Sequence, residues 1–160
     1  MKPFSVLFDG KSQILYNDKL VSRYYLLDEP GEYLISFRFI STNSKFNQAI
    51  VMIFNEFIGS YFLFDEEVQI PRIRFPKENF WADTSPSEIR IKINLISGRI
   101  YICNGSDPLG TKQICHALHM GCAMCVNKTS DNVYRFHCND HENDDDFDDL
   151  VFEMKIITRL

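Results

Sequence analysis

The chain has 160 residues, 45% hydrophobic and 14% aromatic with Phe the commonest ring, a composition that excludes disorder and supplies one domain with a large core. Its formal charge of −5 is local: residues 139 to 149 carry Asp140, Glu142, Asp144, Asp145, Asp146, Asp148 and Asp149 with no Lys or Arg, so the rest of the chain is nearly balanced. No concentrated basic run is present to displace phosphate counterions and no apolar run reaches the roughly 18 residues of a membrane span, which argues against nucleic-acid and membrane partners.

Residues Met1 to Gly10 lack the long apolar stretch and small-residue cleavage site of a secretory signal. Five cysteines, an odd number, point to free thiols in a reducing compartment. The expected location is cytoplasmic if the chain is complete, and extracellular if it is a mature fragment or an excised module. Pro30-Gly31 turns the chain, and Glu32 to Ile40 then alternates, which predicts a strand with Tyr33, Ile35, Phe37 and Phe39 inward and Ser36 and Arg38 outward. Ala49 to Phe54 is apolar on both faces and short, as a central strand is. Val68 to Phe75 reads as an edge, because Pro71 cannot donate a ladder hydrogen bond and Pro76 closes the segment.

Ile89, Ile91, Ile93 and Leu95 alternate with Arg90, Lys92 and Asn94, and Ser97-Gly98 predicts a hairpin turn into a second strand, Arg99 to Cys103. Thr111 can cap a helix over Lys112 to Met120 that Gly121 ends. Val133 to Cys138 and Leu150 to Ile156 read as further strands, the last with Leu150, Phe152, Met154 and Ile156 inward. Seven or eight strands with little helix predict a mainly β fold. The expectation is an antiparallel β-sandwich, jelly-roll-like, forming a single domain over residues 1–160. One short helix would lie in a Cys/His/Asp-rich insertion at about 104–149.

The order of Gly31-Glu-Tyr, alternating aromatics, a central strand, a Pro-flanked edge, a hairpin and a closing Asp-Asp-Leu-Val-Phe-Glu strand resembles the jelly-roll sandwiches of carbohydrate-binding modules. The resemblance covers residues 30–105 and 148–158, and it implies a fold rather than a function. It makes carbohydrate the leading ligand expected for a non-catalytic binding module. Candidate ligand-binding rings are Trp81, in the polar connection between Pro76 and Pro86, with Tyr61 and Phe80. An exposed ring can stack on a sugar, and core packing is the competing reading.

The spacing Cys122-x2-Cys125-x12-Cys138-x2-His141 offers two ligand pairs, the pattern by which zinc gathers a tetrahedron. Three other readings compete with it. Free cysteine packs as a small hydrophobe, so Ile114, Cys115, Leu118 and Cys122 also form an ordinary helix seam. Disulfides are the second, and a nucleophilic Cys115 beside His116 is the third.

Glu142, Asp144, Asp146, Asp148 and Glu153 fall in the register of an EF-hand loop, but Phe147 stands where the turn demands Gly and the flanks read as strands. An EF-hand is therefore not expected. Asp144, Asp146 and Asp148 remain candidate ligands of a looser calcium site. A solvated acidic loop, or a docking surface for a basic protein partner, are the alternatives. A glycosidase carboxylate pair cannot be singled out from so many acids. The functional expectation is a non-catalytic binding module. An acidic interaction or inhibitor protein, and a zinc-binding protein or metal- or thiol-dependent enzyme, are the alternatives.

Overall fold

A computed structural model describes residues 4–63, 66–68, 76–111, 115–116, 122–140 and 146–159. Within them a short helix, α1 (Phe4–Phe8), precedes twelve strands. These are β1 (Gln13–Tyr16), β2 (Lys19–Ser22), β3 (Tyr25–Leu27), β4 (Gly31–Thr42), β5 (Asn47–Leu63) and β6 (Glu66–Val68). The second half of the chain adds β7 (Lys77–Trp81), β8 (Glu88–Asp107), β9 (Cys115–His116), β10 (Ala123–Ser130), β11 (Val133–Asn139) and β12 (Leu150–Arg159). All belong to one antiparallel sheet in the order β1-β2-β10-β11-β12-β4-β8-β5-β6, with β3 and β9 on β8 and β7 on β5. The mainly β, antiparallel class read from the sequence is present.

Local patterning accounts for several of these strands. In β4, Tyr33, Ile35 and Phe37 are buried while Leu34 and Arg38 are exposed, as a pleated chain with one covered face requires. In β12, Leu150, Phe152, Met154 and Ile156 are buried on the same principle. The β1–β2 hairpin turns on Asn17 and Asp18, both with positive φ (47° and 63°), the backbone region that a two-residue reversal of matching twist needs.

The hairpin expected at Ser97-Gly98 is not formed. Glu88–Asp107 is one strand of 20 residues, and it pairs with the 17-residue β5 from Asn47↔Asp107 to Leu63↔Ile91. A bulge between Asn55 and Gly59 interrupts the ladder, so the two strands bend together instead of reversing. Glycine makes the bend feasible. At Gly98 (φ +97°) a Cβ would lie 2.3 Å from the Glu56 carbonyl oxygen, and at Gly59 (φ +149°) one would lie 1.9 Å from that of Asn94. A Ser-Gly pair within an alternating run looks like a reversal. The distant partner that turns it into a bend is not visible locally.

Before the bend, Ile91 to Leu95 lies between β4 and the second half of β5; beyond it, Ile100 to Ile102 lies between β3 and the first half of β5. Both portions feed one core, which takes Ile35, Phe37, Ile91 and Ile93 from one side and Ile50, Met52, Phe54 and Ile102 from the other. Phe54 and Tyr61, on either side of the bulge, stack with centroids 4.8 Å apart, and Phe136 stacks on Phe152 at 4.5 Å. A smaller cluster of Phe4, Phe8, Val21, Ala123 and Phe147 joins α1 to β2, β10 and the segment before β12.

The short helix therefore stands at the N-terminus. Of the helix expected over Lys112 to Met120, Cys115 and His116 instead form β9, opposite Ser106 and Gly105, and the remainder lies outside the described residues. The Val68 to Phe75 edge also lies outside them, except for Val68 at the end of β6. No helix among the described residues is long and apolar enough to cross a membrane.

Candidate functional site

The thiols are placed by strand parity. Across β10 and β11, Cys138 faces Met124 and Cys125 faces His137. Successive strand residues point to opposite faces, so Cys138 enters the large core with Met124 while Cys125 packs against the small one. A Cys-x2-Cys pair converges on a metal where the chain turns, whereas an extended strand sends residues three apart to opposite sides. Cys122 is buried, and His141, the fourth expected zinc ligand, lies outside the described residues. Among the described residues these thiols do not approach closely enough to share an ion. Cys125 and Cys138 are free thiols. Burial pushes the Cys138 thiol well above its ordinary range and raises that of Cys125, which favours the neutral form over a nucleophilic thiolate.

Two of the three candidate rings belong to the core. Tyr61 is 3% exposed and Phe80 6%, and the Tyr61 hydroxyl donates to Glu78 Oε1 at 2.7 Å. Trp81, opposite Ala49 in β7, is half-buried against the core and keeps part of its surface accessible.

The acidic segment is held by specific bonds. Asn139 Oδ1 accepts from the Phe147 N–H (2.8 Å), and Asp149 Oδ2 accepts from the Asp140 N–H (2.9 Å). Asn43 clamps the other side, its N–H donating to the Asp149 carbonyl (3.0 Å) and its Nδ2 to Asp148 Oδ2 (2.8 Å). Phe147 has φ +52°, the left-handed conformation that Gly would adopt without cost. Its buried ring anchors it there among the residues of the small core. In this setting the carboxylates of Asp146, Asp148 and Asp149 bring an oxygen each within 4.8 Å of one another. Asp146 and Asp148 were expected in such a group, Asp149 was not, and Asp144 lies outside the described residues.

Behind the segment stands a wall of buried polar side chains. Gln48 lies opposite Ser106, and Asn104 opposite Ile50, so all three polar groups share the inner face of β5 and β8. Asn104 Nδ2 donates to the Asn139 carbonyl (2.5 Å). Gln48 Nε2 donates to the Phe46 carbonyl (3.1 Å) and lies 3.5 Å from Asp140 Oδ2, which also accepts from Ser44 Oγ (2.5 Å). Sequence reasoning missed this wall, although its signal was available: Asn104 and Ser106 continue the inward parity of Ile100 and Ile102.

The outer face of β12, β4, β8 and β5 carries a different chemistry. One rung runs Lys155, Ser36, Arg90, and the next runs Ile157, Leu34, Lys92, Phe62. Together they line a shallow groove of about 360 Å³. Leu34 and Ile157 are 45% and 36% exposed. Glu153 pairs with both Arg38 (3.2 Å) and Arg135 (3.3 Å), and Glu88 pairs with Arg90 (3.3 Å). Lys92 and Lys155 have no such partner among the described residues. The alternation of Arg90 and Lys92 with isoleucines was legible as an outward row, but its neighbours on β12 and β5 were not.

No protein-family model, curated protein or solved structure matches the chain.

Proposed function

We propose that the chain is a non-catalytic β-sheet binding module whose ligand lies across the groove of Lys155, Arg90, Lys92, Leu34, Ile157 and Phe62, with an anionic polysaccharide the leading class. The observation that carries this reading is the pairing of two ammonium groups, Lys92 and Lys155, that have no ion-pair partner among the described residues with an exposed apolar strip on the same outer face. In the jelly-roll-like arrangement that accompanies it, β12, β4 and the first half of β8 form the ligand-bearing layer. The aliphatic strip suits the apolar face of a pyranose, and Lys92 and Lys155 suit its carboxylates or sulfates. Each exposed charge contact contributes only about 0.2–1 kcal/mol, so useful affinity requires a repeating ligand that engages several at once.

A glycan array followed by titration calorimetry at low and raised salt tests this. Carboxylated or sulfated polymers should bind and neutral ones should not, binding should fall with salt, and the Lys92→Ala/Lys155→Ala double variant should lose about tenfold in affinity. Equal binding of neutral glycans, or an unaffected double variant, would overturn it. Trp81 is outside the groove, and loss of binding in Trp81→Ala with the lysines silent would move the ligand to β7. The acidic-docking reading is less well supported, because Asp140 and Asp149 are buried and thus unavailable to a partner surface.

A further inference from the structure

We propose that the cleft of about 380 Å³ between β3 and the β10–β11 pair binds a small molecule that joins an aromatic ring to a carboxylate, with Tyr24, Tyr25 and Tyr134 receiving the ring and Lys128 the anion. The site is separate from the groove of Lys92 and Lys155 and does not depend on that reading.

Strand parity builds the cleft. Met124, Val126 and Lys128 share one face of β10, and across the ladder they oppose Cys138, Phe136 and Tyr134 of β11. Met124, Cys138 and Phe136 are buried, Val126 and Tyr134 are partly so, and Lys128 is exposed. The large core therefore opens to solvent along this row, and the residue that ends its inward face is a cation instead of another apolar group. From the facing side β3 pairs with β8 through Tyr25↔Ile102, and the Tyr25 ring lies 6.1 Å from that of Phe136 and 5.3 Å from that of Tyr134. Tyr24 meets the Tyr101 ring edge-on at 4.6 Å.

These features fix the class of ligand. Rings already held by their neighbours lose little freedom when a flat guest packs against them, and aromatic pairs gain beyond the area they bury. Among the described residues no carboxylate lines the cleft and Lys128 has no ion-pair partner, so charge complementarity calls for an anion. Ser22, 4% exposed, also lines the cleft; its Oγ accepts from Gln13 Nε2 at 3.0 Å and keeps the hydroxyl proton for a second acceptor such as a carboxylate oxygen. The volume is that of a small-molecule site, whereas a protein partner would need a far larger surface.

The test titrates the full chain by calorimetry with naphthoate, beside naphthamide, which lacks the charge, and decalin carboxylate, which lacks the aromatic ring. Naphthoate should occupy one saturable site, and each analogue should bind about fivefold more weakly. Lys128 is exposed, so Lys128→Met should fold normally, weaken naphthoate about fivefold and leave naphthamide unchanged. Tyr134→Leu should weaken both, and Lys128→Met decides alone if that variant fails to fold. The Lys92→Ala/Lys155→Ala variant should bind naphthoate as the parent chain does, which keeps this cleft distinguishable from the outer groove. No saturable binding, equal affinity for either analogue, or an unaffected Lys128→Met would overturn the proposal. So would a loss confined to the Lys92→Ala/Lys155→Ala variant, which would move the anion to the groove.

Discussion

The ring of Phe147 lies 5.5 Å from that of Phe4, fastening the end of the acidic segment to the N-terminal helix. The contact explains how a non-glycine residue keeps a left-handed backbone: ring burial offsets a conformational cost of roughly 1–2 kcal/mol. Phe147→Ala should therefore destabilise the chain by about 3 kcal/mol in urea denaturation. Phe147→Gly removes the backbone cost but also the ring, and should still be destabilising. Phe4→Ala combined with Phe147→Ala should cost less than the two separately, because they share the contact. Strict additivity would show that the rings act independently.

The bend in β5 and β8 predicts a contrast between glycines. Gly59→Ala and Gly98→Ala place a Cβ against backbone oxygen at 1.9 and 2.3 Å, so the main chain must move. Losses of about 3 kcal/mol or more are expected at these two positions. Gly10 and Gly110 have positive φ (76° and 71°) but nothing within 4 Å, and their alanine variants should lose only about 1 kcal/mol. Thermal unfolding of the four variants checks the order.

Stability should fall at both ends of the pH scale. Burial raises Cys138 and Cys125 above the ordinary 9.0, and burial with the Glu78 contact raises Tyr61 above 10.0. In each case the folded state holds the proton more tightly than the unfolded chain. The resulting stabilisation is complete below the ordinary value and is lost as pH rises beyond it. His137 is lowered from 6.5, by burial first and then by Arg135 and Lys19, so its contribution is complete above 6.5 and lost as pH falls. Melting temperatures should be highest near neutrality, and Tyr61→Phe should flatten the alkaline limb. An alkaline limb unchanged in that variant would remove Tyr61 from the account.

Thiol labelling separates packing from reactivity. Cys103, Cys122 and Cys138 are buried and should resist a water-soluble alkylating reagent until the chain is denatured, while Cys125, half-buried, should react slowly. Peptide mass mapping reads each site. Rapid native labelling of Cys138 would contradict its placement.

The strands that could be read from the sequence were those whose alternation is intact within a few residues. Tyr33-Ile35-Phe37 and Leu150-Phe152-Met154 expose one parity and bury the other, and both appear where expected. Features created by distant partners could not be read. Ser97-Gly98 bends because Glu56 and Phe57 lie against it, and Cys125 is separated from Cys138 because β10 stays extended where a zinc knuckle would turn. The acidic group was half visible in Asp146 and Asp148. Asp149 and the polar wall were not, since Gln48 and Asn104 lie far apart in sequence and meet this segment only through the fold. Tyr61 and Phe80 share their composition with exposed stacking rings, and only tertiary packing assigns them to the interior.

Because β5 and β8 each run through the bend from one portion of the sheet to the other, a cut at the bend in either strand would take part of a shared strand from both portions. Loss of register along that shared pair would reach both portions of the sheet, so cooperative melting is the expected outcome. The shared pair also makes the bend a poor place for an inserted loop, even though a Ser-Gly pair there would ordinarily invite one.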